Sequence, residues 1–181
     1  FITMGLTITG SPINKKRNMG MYRLQKFNDK TLGMHWHPHK GGAAHYHESL
    51  SLGSSLPVSI VLGGDPALIF SSIAPLPENI DEVLFSAFLK NRKINLVKSK
   101  FSEIMVPANA EFIIEGKVPL NKTMLEGPFG DHFGYYSMES QFPYLEIETI
   151  TRKNNPIFPA TVVGLSLIHI SRAHETLPYL V

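Results

Sequence analysis

Four short segments hold side chains that could do chemistry. In Asn18-Met19-Gly20-Met21-Tyr22-Arg23, a glycine sits where a polar loop enters a strand and a guanidinium follows three residues on. Glycine lets backbone approach a ligand closely. Arg23 could grip a phosphate or carboxylate through two parallel N–H bonds, although a plain loop-to-strand junction would look the same. In Met34-His35-Trp36-His37-Pro38-His39-Lys40-Gly41-Gly42, histidines alternate at 35, 37 and 39. On a strand they would share one face, and neutral imidazole is a zinc ligand. Pro38 and the glycines interrupt such a strand. The alternative is a phosphate cradle built from Lys40 and backbone N–H groups. His45 and His47 are expected on a solvated helix face.

The third segment is Glu126-Gly127-Pro128-Phe129-Gly130-Asp131-His132. Its two carboxylates bracket a rigid turn, and paired acids in one pocket push their pKa values apart, so that one can stay protonated as a general acid. A decorated surface turn is the competing account. The aromatics Phe133, Tyr135, Tyr136 and Phe142 favour a pocket. In the fourth, Pro107 to Gly116, Glu111 begins an apolar run and Glu115 ends it. A half-buried carboxylate there needs a partner, for which Arg23 would serve, although both acids suit structural strand ends.

The elements that must position these groups follow from pattern. Ile2–Thr9, Met21–Phe27 and Thr31–Trp36 read as strands, with Asn14 to Asn18 as a polar loop and Asn28-Asp29-Lys30 as a hairpin turn. Ala43–Leu50 reads as a short helix and Pro57–Leu62 as a strand. Asp65-Pro66 is a helix start with Asp as N-cap and Pro at the first helical position. Val83, Leu84, Ala87 and Phe88 have helical spacing, which predicts a helix over Ile80–Leu89 with Glu82 in its first turn. Strands are expected at Ile94–Val97, Ala110–Glu115, Tyr144–Arg152 and Ile157–Val163. The sum is an α+β domain on a barrel-like antiparallel sheet.

The chain has 181 residues, 43% apolar and 18% charged, which suits a packed core. Its net charge of +2 argues for neither nucleic acid nor an anionic membrane. Without cysteine there is no disulfide and no Cys-ligated zinc or iron–sulfur centre. No apolar run reaches the roughly 18 residues of a membrane-spanning helix. The opening at Phe1 reads as the middle of a strand, so a fragment of a longer protein is expected.

Taken together, Asn18–Arg23, Met34–Gly42, Pro57–Ala67, Ile80-Asp81-Glu82, Val106–Gly116, Glu126–Tyr136, Thr149–Arg152 and Pro156–Gly164 resemble the UbiD family of decarboxylases, in the family's order. The resemblance implies a flavin-reductase-like split β-barrel with a few short flanking helices. It implies prenylated FMN, surrounded by Met21, Tyr22, Arg23, His35, Trp36, His37, Lys40 and Gly41. It makes Asn18 and Glu82 ligands of a divalent metal beside the cofactor phosphate. Mn²⁺ or Mg²⁺ is expected from hard oxygen donors, with K⁺ as a further candidate. The family's Arg–Glu–acid network falls on Arg23, Glu126 and Asp131, with Asp131 as general acid.

The implied activity is non-oxidative decarboxylation of an aromatic or α,β-unsaturated acid, with quinone-precursor acids among the substrates. A flavin prenyltransferase would supply the cofactor, and a cytoplasmic homo-oligomer is expected for the full-length protein. Residues 1–164 form the expected domain. Leu165–Val181 departs from the family pattern and resembles translated adapter sequence. Two other readings stand beside this one: a metal-dependent hydrolase or oxygenase centred on His35, His37 and His39, and a flavin-binding module that is inactive because it is truncated.

Overall fold

The computed structural model describes residues 1–77, 80–130 and 134–161. In chain order the elements are β1 (Ile2–Gly10), β2 (Arg17–Lys26), β3 (Thr31–Met34), α1 (Gly41–Ser51), β4 (Leu56–Leu62), α2 (Pro66–Ser71) and α3 (Glu82–Lys90). There follow β5 (Leu96–Lys98), β6 (Met105–Pro107), β7 (Phe112–Val118), β8 (Thr123–Glu126), β9 (Phe129–Gly130), β10 (Tyr136–Ser137) and β11 (Ser140–Arg152). The main sheet runs β3-β2-β1-β4-β7-β11-β8, and β3 also pairs with β11. That extra pairing closes a six-stranded antiparallel barrel with β8 appended to the start of β11. β11 reaches both β8 and β7 because it is 13 residues long and shifts register between Ile147 and Thr149. The fold is a flavin-reductase-like split barrel.

Strand alternation sorts the core into two bodies. Tyr22 and Leu24 of β2 point inward, to a cluster with Ile60, Leu62 and Leu145. Met19 points outward, with Leu6 and Ile8 of β1, and packs under α2 and α3 through Leu68 and Val83. α1 closes one end of the barrel with Ala43 and Tyr46. The helix therefore turns His45 inward: it is 8% exposed, with Nδ1 2.8 Å from Thr9 Oγ1. His47 is exposed, as expected.

Several boundaries differ from the sequence reading. Arg17 and Asn18 belong to β2, not to a loop, because they pair with Gly10 and Thr9 of β1. The turn before them is held instead by Ser11, whose Oγ accepts from the amides of Ile13 and Asn14. α1 begins at Gly41. Its two glycines do not break the chain; they admit close neighbours. A Cβ on Gly41 would lie 2.1 Å from Asn18 Oδ1, and one on Gly42 2.9 Å from Trp36 Nε1. The expected strand over Ile157–Val163 is absent from its described part, 157–161. Pro156 and Pro159 offer no N–H to a ladder, and Ile157 N donates to Glu111 Oε2 instead. The tail Leu165–Val181 lies outside the described residues.

Gly116 of β7 sits where β11 changes register, and a Cβ there would lie 1.9 Å from the carbonyl oxygen of Glu146. Backbone cannot yield as a side chain can. Gly116→Ala is expected to lower unfolding free energy by about 1–3 kcal/mol. Gly10→Ala, with nothing within 4 Å of the new Cβ, should stay within about 0.5 kcal/mol. Equal denaturation midpoints for the two variants would refute this packing account.

Candidate functional site

β2 loses its neighbour along part of its length. β3 pairs only with Leu24–Lys26, so among the described residues no strand flanks Arg17–Arg23 on that side. The connection between α2 and α3 runs there instead. Met21 N donates to Ser72 O at 3.4 Å, and Met19 N donates to Glu82 Oε2 at 3.2 Å. A side-chain carboxylate thus takes the place of a strand carbonyl. Polar and charged side chains gather at the two ends of this open edge.

At the far end lies a buried ion pair. Glu126, the last residue of β8, is 0% exposed. Arg23 meets it side-on, with Nε 2.8 Å from Oε1 and Nη2 2.8 Å from Oε2. His35 completes the group: its Nδ1 is 3.1 Å from Glu126 Oε2 and 2.8 Å from Arg23 Nη2. The guanidinium only donates and the carboxylate only accepts, so the His35 tautomer selects which of them it serves. Burial, then the Arg23 charge, hold His35 below the ordinary imidazole value, against the opposing pull of Glu126. Its Nε2 lies 3.1 Å from Nε2 of the exposed His37.

Aromatic rings wall this group. The Phe129 ring lies 4.4 Å from the Arg23 guanidinium carbon, and Phe142 lies 4.3 Å from the His35 ring. Gln25 Oε1 accepts from Gly127 N at 2.8 Å and fixes the turn after Glu126. A cavity of about 410 Å³ opens beside Phe1, Pro128, Phe129 and Tyr136. Asp131, the expected acid, lies outside the described residues. A larger cavity of about 710 Å³ touches none of Arg23, Glu126 or His35; it lies behind the other end of the edge, lined by Ser49, Arg17 and Asp81 among others.

That other end carries Asn18 and Glu82. Asn18 Oδ1 faces the start of α1 beside Gly41, and its Nδ2 is 3.5 Å from Tyr22 Oη. The N-cap residue Lys40 gives α1 no side-chain cap and its first turn has no acid, although Tyr22 Oη accepts from Gly42 N at 3.2 Å; the helix dipole there favours an anion. Glu82 is the first residue of α3, and its carboxylate touches the peptide that follows Asn18. Burial pushes Glu82 above the ordinary carboxylate value, because the amides it meets do not offset lost hydration. The preceding residue, Asp81, is raised by burial but held below the ordinary value by Arg17 and by the amides of Leu84 and Val83.

The expected residues therefore fall into groups. Arg23, Glu126 and His35 are together, with His37 beside them; at the other end Asn18 lies against Gly41, and Glu82 touches the peptide that follows Asn18. Met21 is half-buried on the outer face, and Lys40 is exposed at the N-cap of α1. Tyr22 and Trp36 turn their side chains into the barrel core, so any approach to a ligand on the outer face is through their backbone. His39 is exposed and does not join the pair of His35 and His37, because β3 ends at Met34. Among the described residues no three metal-ligating side chains cluster, which removes the basis of the three-histidine hydrolase reading. Glu111 and Glu115 do not meet Arg23. Lys153 Nζ reaches Glu111 at 2.6 Å, and Lys100 N donates to both oxygens of Glu115. Sequence reasoning missed Arg17, Asp81 and Gln25, although Asp81 carried the helix-start signal recognised at Asp65.

Known proteins share both the sequence pattern and the fold. The family described as "3-octaprenyl-4-hydroxybenzoate carboxy-lyase Rift-related domain" (UbiD) matches residues 1–166. A Chlamydia pneumoniae protein, named as one component of a 4-hydroxybenzoate decarboxylase, is 45% identical over 164 residues, covering 91% of this chain and 28% of its own length. Vanillic acid decarboxylase of Sedimentibacter hydroxybenzoicus superposes with a TM-score of 0.87 at 27% identity, covering 91% of this chain and 36% of that one. An evolved dimeric form of the UbiD-class enzyme HmfF from Pelotomaculum thermopropionicum, in complex with prFMN, superposes with a TM-score of 0.83 at 29% identity, covering 87% and 36%. The chain thus spans 28% to 34% of the length of the curated relatives it matches.

Two tests follow from the ion pair and the buried histidines. Glu126→Gln leaves the Arg23 charge without its carboxylate in an enclosed site, and is expected to destabilise the fold by roughly 3–5 kcal/mol; chemical denaturation measures it, and a loss under about 1 kcal/mol would mean the pair behaves as a surface contact. His35 and His45 are both held below the ordinary imidazole value, chiefly by burial. Below about pH 6.5 the unfolded chain binds protons that the folded one refuses, so their stability contribution is complete above that pH and is lost as pH falls toward the lowered folded values. Stability should decline as pH falls below about 6.5, and His45→Gln should flatten that decline. An unchanged slope in the variant would remove His45 from the account.

Proposed function

The chain belongs to the UbiD carboxy-lyase family, and from that premise we propose that it is the flavin-binding part of a decarboxylase acting on an aromatic or α,β-unsaturated carboxylic acid with prenylated FMN. The observation that carries this reading is the open edge of β2, with Asn18, Glu82 and the start of α1 at one end and the Arg23–Glu126 pair at the other. Five residue steps along the strand separate Asn18 from Arg23, roughly 16 Å, a span that suits an extended flavin mononucleotide from phosphate to ring.

The donor set fits such a group. Glu82 is a carboxylate whose buried charge is under-compensated, and Asn18 offers an amide oxygen; both are hard donors suited to Mn²⁺ or Mg²⁺. The start of α1, with Lys40 and Gly41, would take the phosphate. When bound, the modified flavin supplies the sink for the electrons that decarboxylation leaves behind. The chain's residues would do the rest. Arg23 would bind the substrate carboxylate while holding Glu126 in place through its two hydrogen bonds, and Phe129 and Phe142 would exclude water. Asp131 would place a proton on the carbon that lost CO₂, with Glu126 adjusting its proton affinity.

On this reading a flavin prenyltransferase supplies the cofactor, the substrate class includes quinone-precursor benzoates, and the full-length protein is a cytoplasmic homo-oligomer. A flavin-binding role without turnover is the form it would take for this stretch alone. Residues 1–164 would be the folding unit and 165–181 would add nothing to it.

The test uses the full-length protein produced together with a flavin prenyltransferase. It should retain flavin and release CO₂ from hydroxybenzoates. Asp131→Asn should keep the flavin and lower turnover by roughly 10²–10⁴-fold, the usual contribution of a positioned acid. Arg23→Ala should raise KM, because a charge-assisted donor is gone. A protein that never retains flavin, or an Asp131→Asn variant with wild-type turnover where protonation limits the rate, defeats the proposal.

A further inference from the structure

Arg17 and Asp81 carry no role in the sequence pattern, yet they form a bidentate polar link between β2 and the helix that carries Glu82. Arg17 Nε lies 3.0 Å from Asp81 Oδ2, and Nη2 lies 2.8 Å from each carboxylate oxygen. The same carboxylate caps α3, with Oδ1 accepting from Val83 N at 2.9 Å and Leu84 N at 3.0 Å. One side chain thus fixes both where α3 begins and how it sits against the strand. Glu82 follows it directly, and among the described residues its own hydrogen bond to β2 is the single 3.2 Å contact from Met19 N.

We infer that Arg17 and Asp81 are a positioning pair, which holds the Glu82 carboxylate beside Asn18 in the geometry a divalent cation requires. The inference rests on the metal reading above. Neither residue is asked to touch metal or flavin. Both line the 710 Å³ cavity behind the edge, and the guanidinium is committed to Asp81. The need is physical. A cation site made of one carboxylate and one amide oxygen gains no order from a ring of protein ligands, so the backbone around Glu82 must be ordered in advance. A helix start tethered by one amide bond is free to pivot; a second, bidentate tether further back on the same strand removes that freedom. Groups that orient metal ligands in this way typically change metal affinity by roughly 10–100-fold when removed.

The test measures Mn²⁺ affinity of the chain in saturating FMN, from the EPR signal of free Mn²⁺. Arg17→Met should weaken binding by roughly 10–100-fold, and Arg17→Lys should recover part of it. Asp81→Asn keeps a good N-cap but loses the ion pair, so it should lose affinity while α3 stays folded by circular dichroism. The double variant should lose no more than either single one, since the two side chains act as a unit. Affinity within about twofold of wild type in Arg17→Met, with Glu82→Gln abolishing binding, overturns the positioning role and leaves the metal site standing. Wild type binding Mn²⁺ no better than Glu82→Gln overturns both. Additive losses in the double variant also count against the pair.

Discussion

The period of two along β2 constrains nearly everything else. A strand must send alternate side chains to opposite faces, and from Arg17 to Arg23 every odd residue faces outward. Gly20 shows how strictly the inner face is used: a Cβ there would lie 2.6 Å from the Tyr22 ring, so that ring folds back over the glycine. The outer face carries Arg17, Met19, Met21 and Arg23. Each end of this row is an arginine tied bidentately to a carboxylate from another element, Asp81 before α3 and Glu126 at the end of β8. Slipping β2 by one residue would bury both guanidinium groups in the barrel and expose Leu24 and Tyr22. Register, core and site are therefore one constraint.

The Arg23–Glu126 pair is a poor choice if stability alone is considered. Desolvating two charges costs several kcal/mol per ion, and well-packed apolar side chains often do as well or better. The pair is 15% and 1% exposed, so solvent does little to screen it. What it offers is a carboxylate fixed in an enclosed, ring-lined place, together with a guanidinium whose orientation is fixed by two bonds. Such a group can discriminate a substrate carboxylate and can set the proton affinity of a neighbouring acid. Apolar residues could do neither.

Much of this was legible in the sequence, for identifiable reasons. Apolar strands such as Pro57–Leu62, the helix start at Asp65-Pro66 and the spacing of Val83, Leu84, Ala87 and Phe88 each depend on local chemistry, and the structure reproduces them to within a residue or two. The misses share a different cause. Arg17 and Asn18 looked like loop because their polarity was read locally, whereas pairing with β1 decides their state. His45 looked solvated because α1 was read alone; its barrel-facing side is set by Thr9, 36 positions away. Gln25 and Asp81 matter through partners far along the chain. Contacts between distant segments leave no spacing to read.

The two ends of the β2 edge also ask for opposite electrostatics, and the fold keeps them apart. On the proposed reading the Asn18 end would accept a cation and a phosphate together, and it combines a carboxylate raised by burial with the positive start of a helix. On the same reading the Arg23 end would face a substrate anion beside an acid, and it combines a guanidinium with a buried carboxylate and an imidazole held below its ordinary value. Bringing them closer would let the cation quench Glu126 or let Arg23 compete for the phosphate. With a Debye length of about 8 Å in physiological salt, roughly 16 Å of strand between them suppresses such cross-talk through solvent. A rigid strand is the element that can set that distance, because its rise per residue is fixed while a loop's is not. On the proposed reading the length of strand between the two sets of side chains matters as much as any one of them.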